Sequence, residues 1–168
     1  KNTITGSGTV RQAMKEHSSA LEEGKADILG LYMVQKLREK GEISEGEVMD
    51  NYVTFLAGIF RSIRFGASSA HGRANMIRFN FFEQAGAFSR DGATGAYRVN
   101  RAEFEQAIRD LSNRILTLQG NGDYDAVDAF VAEMGAMGQQ LESDIERLAH
   151  AAIPVDIEFE QGIEVLGL

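Results

Sequence analysis

Proline occurs once in this chain, at position 154 of 168. A helix interior is where proline does most damage, because its ring removes a backbone donor and clashes with the preceding turn. Nothing before residue 153 therefore forbids long helices, and the apolar residues recur at helical spacing. The sequence predicts a mainly α protein: a helical bundle with a small β-hairpin and a short C-terminal strand. At this length and with 43% hydrophobic residues, one domain can bury its own core. The whole chain, residues 1–168, is read as a single domain.

Stop and start signals divide the helices. The first spans about Thr9 to Lys40, with Thr9 and Gln12 spaced as a capping box and Gly41 as its stop. Gly6-Ser7-Gly8 reads as a flexible lead-in. A second helix runs from Ser44, boxed by Glu47, to about Ile63. A third runs from about Ser69 to Ala85, and its phenylalanines lie all round, which implies burial on more than one side. Turn residues Arg90-Asp91-Gly92 and Thr94-Gly95 mark a hairpin within Phe88–Val99. Asn100, boxed with Glu103, caps a helix from Arg101 to Gln119, stopped by Gly120-Asn121-Gly122. Asp123 opens a last helical stretch to Leu148, with a kink near Gly135 to Gly138. Ile153 to Phe159 alternates apolar and polar as a half-buried strand does.

Composition removes several functions. There is no cysteine, hence no disulfide, thiolate nucleophile or thiolate metal ligand. The net charge of -8 repels phosphate backbones, so nucleic acid is not an expected partner. No apolar run approaches the roughly 20 residues that span a bilayer, so no membrane partner is expected either. The absence of cysteine and of a signal segment favours the cytoplasm. The N-terminus carries neither an initiator Met nor a signal core, so the chain begins after processing or is cut from something longer.

The densest polar cluster is Glu22-Glu23-Gly24-Lys25-Ala26-Asp27. Glu23 and Asp27, at i and i+4, share one helix face, where like charges repel. A positive group nearby would reverse that, and a metal ion is the strongest candidate; Lys25 lies on the opposite side. A charge run is usually a solvated face, but small residues and Leu21 and Ile28 around this one suggest a helix pressed into the interior. None of the three histidines forms an H-E-x-x-H or H-x-x-x-H pair. His17 lies nearly two turns before Glu23, on a compatible face. His71 opens the third helix, where amide donors and the helix dipole suit the stabilisation of a developing oxyanion. His150, at a helix C-terminus, is most simply dipole compensation.

The six-residue cluster resembles the second zinc motif of the dipeptidyl-peptidase III family, E-E-x-x-A-[E/D]. Leu29-Gly30-Leu31-Tyr32 after it is similar to the bacterial branch. Ala70-His71-Gly72-Arg73-Ala74-Asn75-Met76-Ile77, followed by Phe82-Glu83-Gln84-Ala85-Gly86, resembles that family's catalytic-histidine segment. The resemblance implies zinc, with Glu23 a ligand, Glu22 and Asp27 orienting the ligand histidines, and His71 steadying the transition state of peptide hydrolysis in the substrate cleft. Two departures stand out. The family's H-E-x-x-x-H motif, which supplies two ligands and the general base, is missing, so the chain is expected to be the C-terminal part of a longer enzyme and inactive alone. Asn75 stands where the peptidase branch often has an arginine.

Some relatives of this region are joined to a Nudix-type hydrolase domain, which is an alternative setting for the chain. A non-enzymatic helical interaction module is another, and it predicts that Glu22, Glu23 and Asp27 are simply solvated. An exposed apolar face left by a missing upstream part would favour a homo-oligomer, a dimer for instance.

Overall fold

The structure, a computed structural model, describes residues 1–151 and 162–167. It is mainly helical, with one two-stranded antiparallel hairpin. In chain order the elements are α1 (Val10–Met14), a 3-10 turn (Lys15–His17), α2 (Ser18–Glu39), α3 (Val48–Ile63), α4 (Ala70–Gln84), β1 (Phe88–Arg90), β2 (Tyr97–Val99), α5 (Arg101–Asn121), α6 (Tyr124–Met134), α7 (Gln139–His150) and α8 (Ile163–Leu166). The strand expected over Ile153 to Phe159 lies outside the described residues.

Helix α4 is the axis of the fold. It packs on α2, α3, α5, α6 and β1. Ala74 to Phe79 are six consecutive buried residues, which a helix with only one inward face could not provide. The aromatic residues expected to be buried on several sides are so placed. Phe79 meets Phe60, Phe88 and Tyr97, and Phe82 meets Phe55 and Phe104. The edge-to-face arrangement of several of these pairs suits the ring quadrupoles and adds to the area they bury. Helix α2 lies along α4 and α5. Gly24 is buried at that contact, and a Cβ there would stand 3.7 Å from Ile115 Cδ1 and 3.8 Å from Ala74 Cβ.

Several boundaries differ from the expected ones. The first helix is broken in two. The Thr9–Gln12 capping box forms, but Lys15 takes a positive φ of 48° and a 3-10 turn follows before α2 resumes the helix. The lead-in through Gly6-Ser7-Gly8 is tied down: Thr3 Oγ1 and Ser7 Oγ share a hydrogen bond, Ile4 N donates to Gly120 O and Thr5 Oγ1 to Asn121 O. The loop covers the end of α5 at Gly122, whose φ of 68° forms the left-handed stop. Helix α3 starts at Val48, not Ser44, because Glu47 is itself the cap, in a reciprocal box with Asp50. Asn100 precedes α5 without capping it through its side chain; its Nδ2 donates to Gly86 O instead, tying the end of the hairpin to the end of α4. The expected kink is a full break between α6 and α7. Asn80 of α4 spans it, donating to Met134 O and Ala136 O.

The hairpin is pinned to α7 by a buried carboxylate. Arg90 donates from Nε and Nη2 to the two oxygens of Asp144 at 2.7 and 2.8 Å, and Tyr97 Oη donates to Oδ2 at 2.8 Å. The paired arginine fork holds the Asp144 carboxyl down at about 2.

Candidate functional site

The two sequence segments singled out for chemistry meet where α2 crosses α4. Glu22, Glu23 and Asp27 lie in the first half of α2, and His71 lies in the first turn of α4, one residue after its start. Ser69 caps α4, accepting from Gly72 N at 3.0 Å. Gly72 is required there. A Cβ on it would stand 2.2 Å from Gly66 O, inside the loop that leads into the helix.

The three acids have three different fates. Glu22 Oε1 accepts from Lys25 Nζ at 2.5 Å and from Gln119 Nε2 at 2.9 Å. Lys25 Nζ also donates to Gln119 Oε1 at 3.0 Å, so a nearly buried ammonium is closed into a triangle reaching α5. The bond from Lys25 is the main reason the Glu22 carboxyl titrates below its ordinary range, against the opposing effect of burial. Asp27 pairs with Arg78 of α4. The guanidinium is buried, with a side chain 3% exposed, while the Asp27 side chain is 48% exposed. The positive group expected beside Asp27 is thus an arginine from the neighbouring helix. Lys25 does not serve it, as its side of α2 implied.

Glu23 stands apart. Its Oε2 lies 3.6 Å from His71 Nδ1, a contact longer than a hydrogen bond, and the two side chains are 41% and 71% exposed. The helix-crossing thus brings Glu23 and His71 together on an accessible face, with the neighbouring acids already occupied by internal cations. His17 is elsewhere. Buried at the 3-10 turn, its Nε2 faces Asp128 Oδ1 at 2.9 Å and its ring lies against Tyr124. His150 closes the last turn of α7, as dipole compensation requires.

Among the described residues no group of three or more His, Cys, Asp or Glu side chains could hold a metal ion. Glu23 supplies at most one of the three protein ligands that a catalytic zinc requires, two short of a complete set. As a complete zinc site the described residues do not fit.

Two residues of this region carry more than the sequence suggested. In the sequence Arg78 carries no signal as a single residue, and Asn75 stands out only as a departure from the family pattern. Both follow His71 at helical intervals, Asn75 at i+4 and Arg78 at i+7, and are the polar positions within the buried run Ala74 to Phe79. Such a stripe is the pattern that would have pointed to them.

Comparison with known proteins shows what this arrangement is similar to. No family model matches the chain. A solved dipeptidyl-peptidase III from Caldithrix abyssi superposes with a TM-score of 0.87 at 38% identity, over 98% of this chain and 31% of that one. The chain shares its fold with dipeptidyl-peptidase III. A second solved dipeptidyl-peptidase III, from Corallococcus sp. strain EGB, matches with a TM-score of 0.83 at 38% identity, over 93% of this chain and 29% of that one. The resemblance to dipeptidyl-peptidase III read from the motifs is borne out along almost the whole chain. Among curated proteins it is 41% identical over 161 residues to Nudix hydrolase 3 of Arabidopsis thaliana, covering 93% of this chain and 21% of that protein. The chain therefore spans about a fifth of the curated relative and under a third of each solved dipeptidyl-peptidase III. No helix among the described residues is long and apolar enough to cross a membrane.

Proposed function

We propose that this chain is the C-terminal part of the catalytic region of a zinc-dependent peptidase of the dipeptidyl-peptidase III type, acting on peptides in the cytoplasm. Glu23 is the zinc ligand it contributes. Glu22 and Asp27 flank that ligand and orient its partners, and His71 faces the substrate. The observation that carries the reading is the isolation of Glu23. Of the three acids, it alone has no short contact to a cation of the fold, and it faces the imidazole on an open surface. Its remaining partners would come from polypeptide outside these 168 residues. When bound, zinc polarises the attacking water. This chain's own residues then do something narrower, presenting one carboxylate and one imidazole at a set separation.

The test is zinc titration of a longer protein in which an H-E-x-x-x-H segment precedes this chain. Glu23→Gln is expected to weaken zinc binding by a factor of ten or more, and equal affinity overturns the assignment. The chain alone is expected to bind zinc weakly and to leave dipeptidyl substrates uncut; cleavage by the isolated chain refutes the need for outside ligands. A second setting, in which the same region follows a Nudix-type domain, goes with the match to a protein named Nudix hydrolase 3. The upstream sequence distinguishes the two. Exposed Ile4, Phe65 and Met33 support self-association when the chain is alone. Light scattering at high concentration is expected to show a dimer, and a monomer removes that expectation.

A further inference from the structure

We infer that Arg78 and Asn75 are positioning residues, a buried hydrogen-bonded chain that ties Asp27 of α2 to the first turn of α4 and so sets the separation of Glu23 and His71. The inference rests on the proposed roles of those two residues. The links are continuous. Arg78 Nη1 donates to Asp27 Oδ2. Arg78 Nη2 donates to Asn75 Oδ1 at 2.6 Å, and Asn75 Nδ2 donates to His71 O at 2.9 Å. Arg78 and Asn75 are buried, at 2% and 5% exposure, so water does not compete for the bond between them. Two helices are thereby joined at the residues beside the site: Asp27 lies one turn after Glu23, and the last acceptor is the carbonyl of His71 itself.

The choice of an arginine here is otherwise hard to account for. Its neighbours on α4 are Ile77 and Phe79, and the Phe55 ring lies 5.4 Å below the guanidinium. An apolar residue would pack in this position without the cost of taking a guanidinium out of water. Stability alone does not select an arginine whose Nε has no hydrogen-bond partner. Geometry does. The rigid planar fork holds the Asp27 carboxylate with one arm and the Asn75 amide oxygen with the other at a fixed separation, which a flexible ammonium does not fix. The charge has a second consequence. It neutralises Asp27, which otherwise repels Glu23 from one turn away. Asn75 serves both ends, accepting from the arginine and donating to the helix turn, which an aspartate in its place could not do.

The experiment compares Arg78→Met, Arg78→Lys and Asn75→Leu in the full chain, reading thermal stability together with the nuclear Overhauser contact between the His71 ring and the Glu23 side chain. Arg78→Met is expected to fold, with a melting temperature lowered by no more than a few degrees because Asp27 stays in water and only the Asn75 oxygen loses its partner, yet to lose the contact. Arg78→Lys keeps the charge but not the fork, and is expected to weaken the contact as well. Asn75→Leu cuts the final link and is expected to lose the contact with Arg78 still in place; it also decides the matter if Arg78→Met does not fold. A folded Arg78→Met or Asn75→Leu protein with the contact at full strength overturns the inference. This readout needs no zinc. A failure of the metal assignment, seen in the Glu23→Gln titration, is therefore distinguishable from a failure of the positioning role.

Discussion

Asp144 offers the sharpest test of how this fold is held. Its side chain is 4% exposed, accepts both arms of Arg90 and the Tyr97 hydroxyl, and joins α7 to the hairpin. Asp144→Asn keeps the shape and an acceptor oxygen but removes the charge that makes these bonds strong. The carboxyl lies at about 2 in the folded protein against 3.8 for the free side chain. That separation corresponds to roughly 2 kcal/mol of stability at neutral pH. In a chain of this size, the loss lowers the melting temperature by about 4 to 8 °C. The sign with pH follows from the depressed folded value. The contribution is complete above the unfolded value of 3.8, declines as pH falls through the interval below it, and is gone once the folded carboxyl is protonated, near 2. Urea denaturation of both proteins at a series of pH values from 7 to 2 measures the gap directly. It should be constant from pH 7 to about 5 and close toward pH 2. A gap that stays open at pH 2, or that is absent at pH 7, refutes the argument.

Three further outcomes are expected. Gly30→Ala stabilises the protein by about 1 kcal/mol in chemical denaturation, because Gly30 is exposed within α2 and a Cβ there meets nothing within 4 Å; destabilisation would mean that the helix face is covered. Gly72→Ala costs about 1 to 3 kcal/mol and moves the backbone amide resonances of residues 66–72, since the new Cβ meets a backbone carbonyl that must give way; an unchanged spectrum speaks against the close approach. Glu22→Ala leaves the buried Lys25 ammonium with Gln119 but no counter-charge and is expected to lower stability by about 2 to 3 kcal/mol, more than Glu23→Ala, which should behave as a surface change within about 0.5 kcal/mol. Equal effects in thermal melts would erase the distinction between the paired and the isolated acid.

The separate fates of those acids were not readable in one dimension. Spacing along α2 placed Glu23 and Asp27 on one face, because 3.6 residues per turn is a local rule. Glu22 meets the local cation Lys25, but the other partners lie dozens of positions away: Gln119 on α5 for Glu22, Arg78 on α4 for Asp27 and His71 on α4 for Glu23. The break at Lys15 escaped for a related reason. The apolar pattern continues across it, while the turn itself is held by tertiary contacts, with Lys15 over the Tyr124 ring and His17 facing Asp128. Asn100 likewise read as a cap because its neighbours have that pattern, but its amide found a better partner across the chain in Gly86 O.

The sequence by itself determined the helices of the core, the hairpin and the motif order that pointed to dipeptidyl-peptidase III. Periodicity, turn residues and short motifs are properties of neighbours, and neighbours are what a sequence records. The tertiary structure alone decided that Glu23 and His71 stand 3.6 Å apart while Asp27 is held by a buried arginine. Those pairings follow from how α2 crosses α4, and a crossing is set by packing between faces distant along the chain.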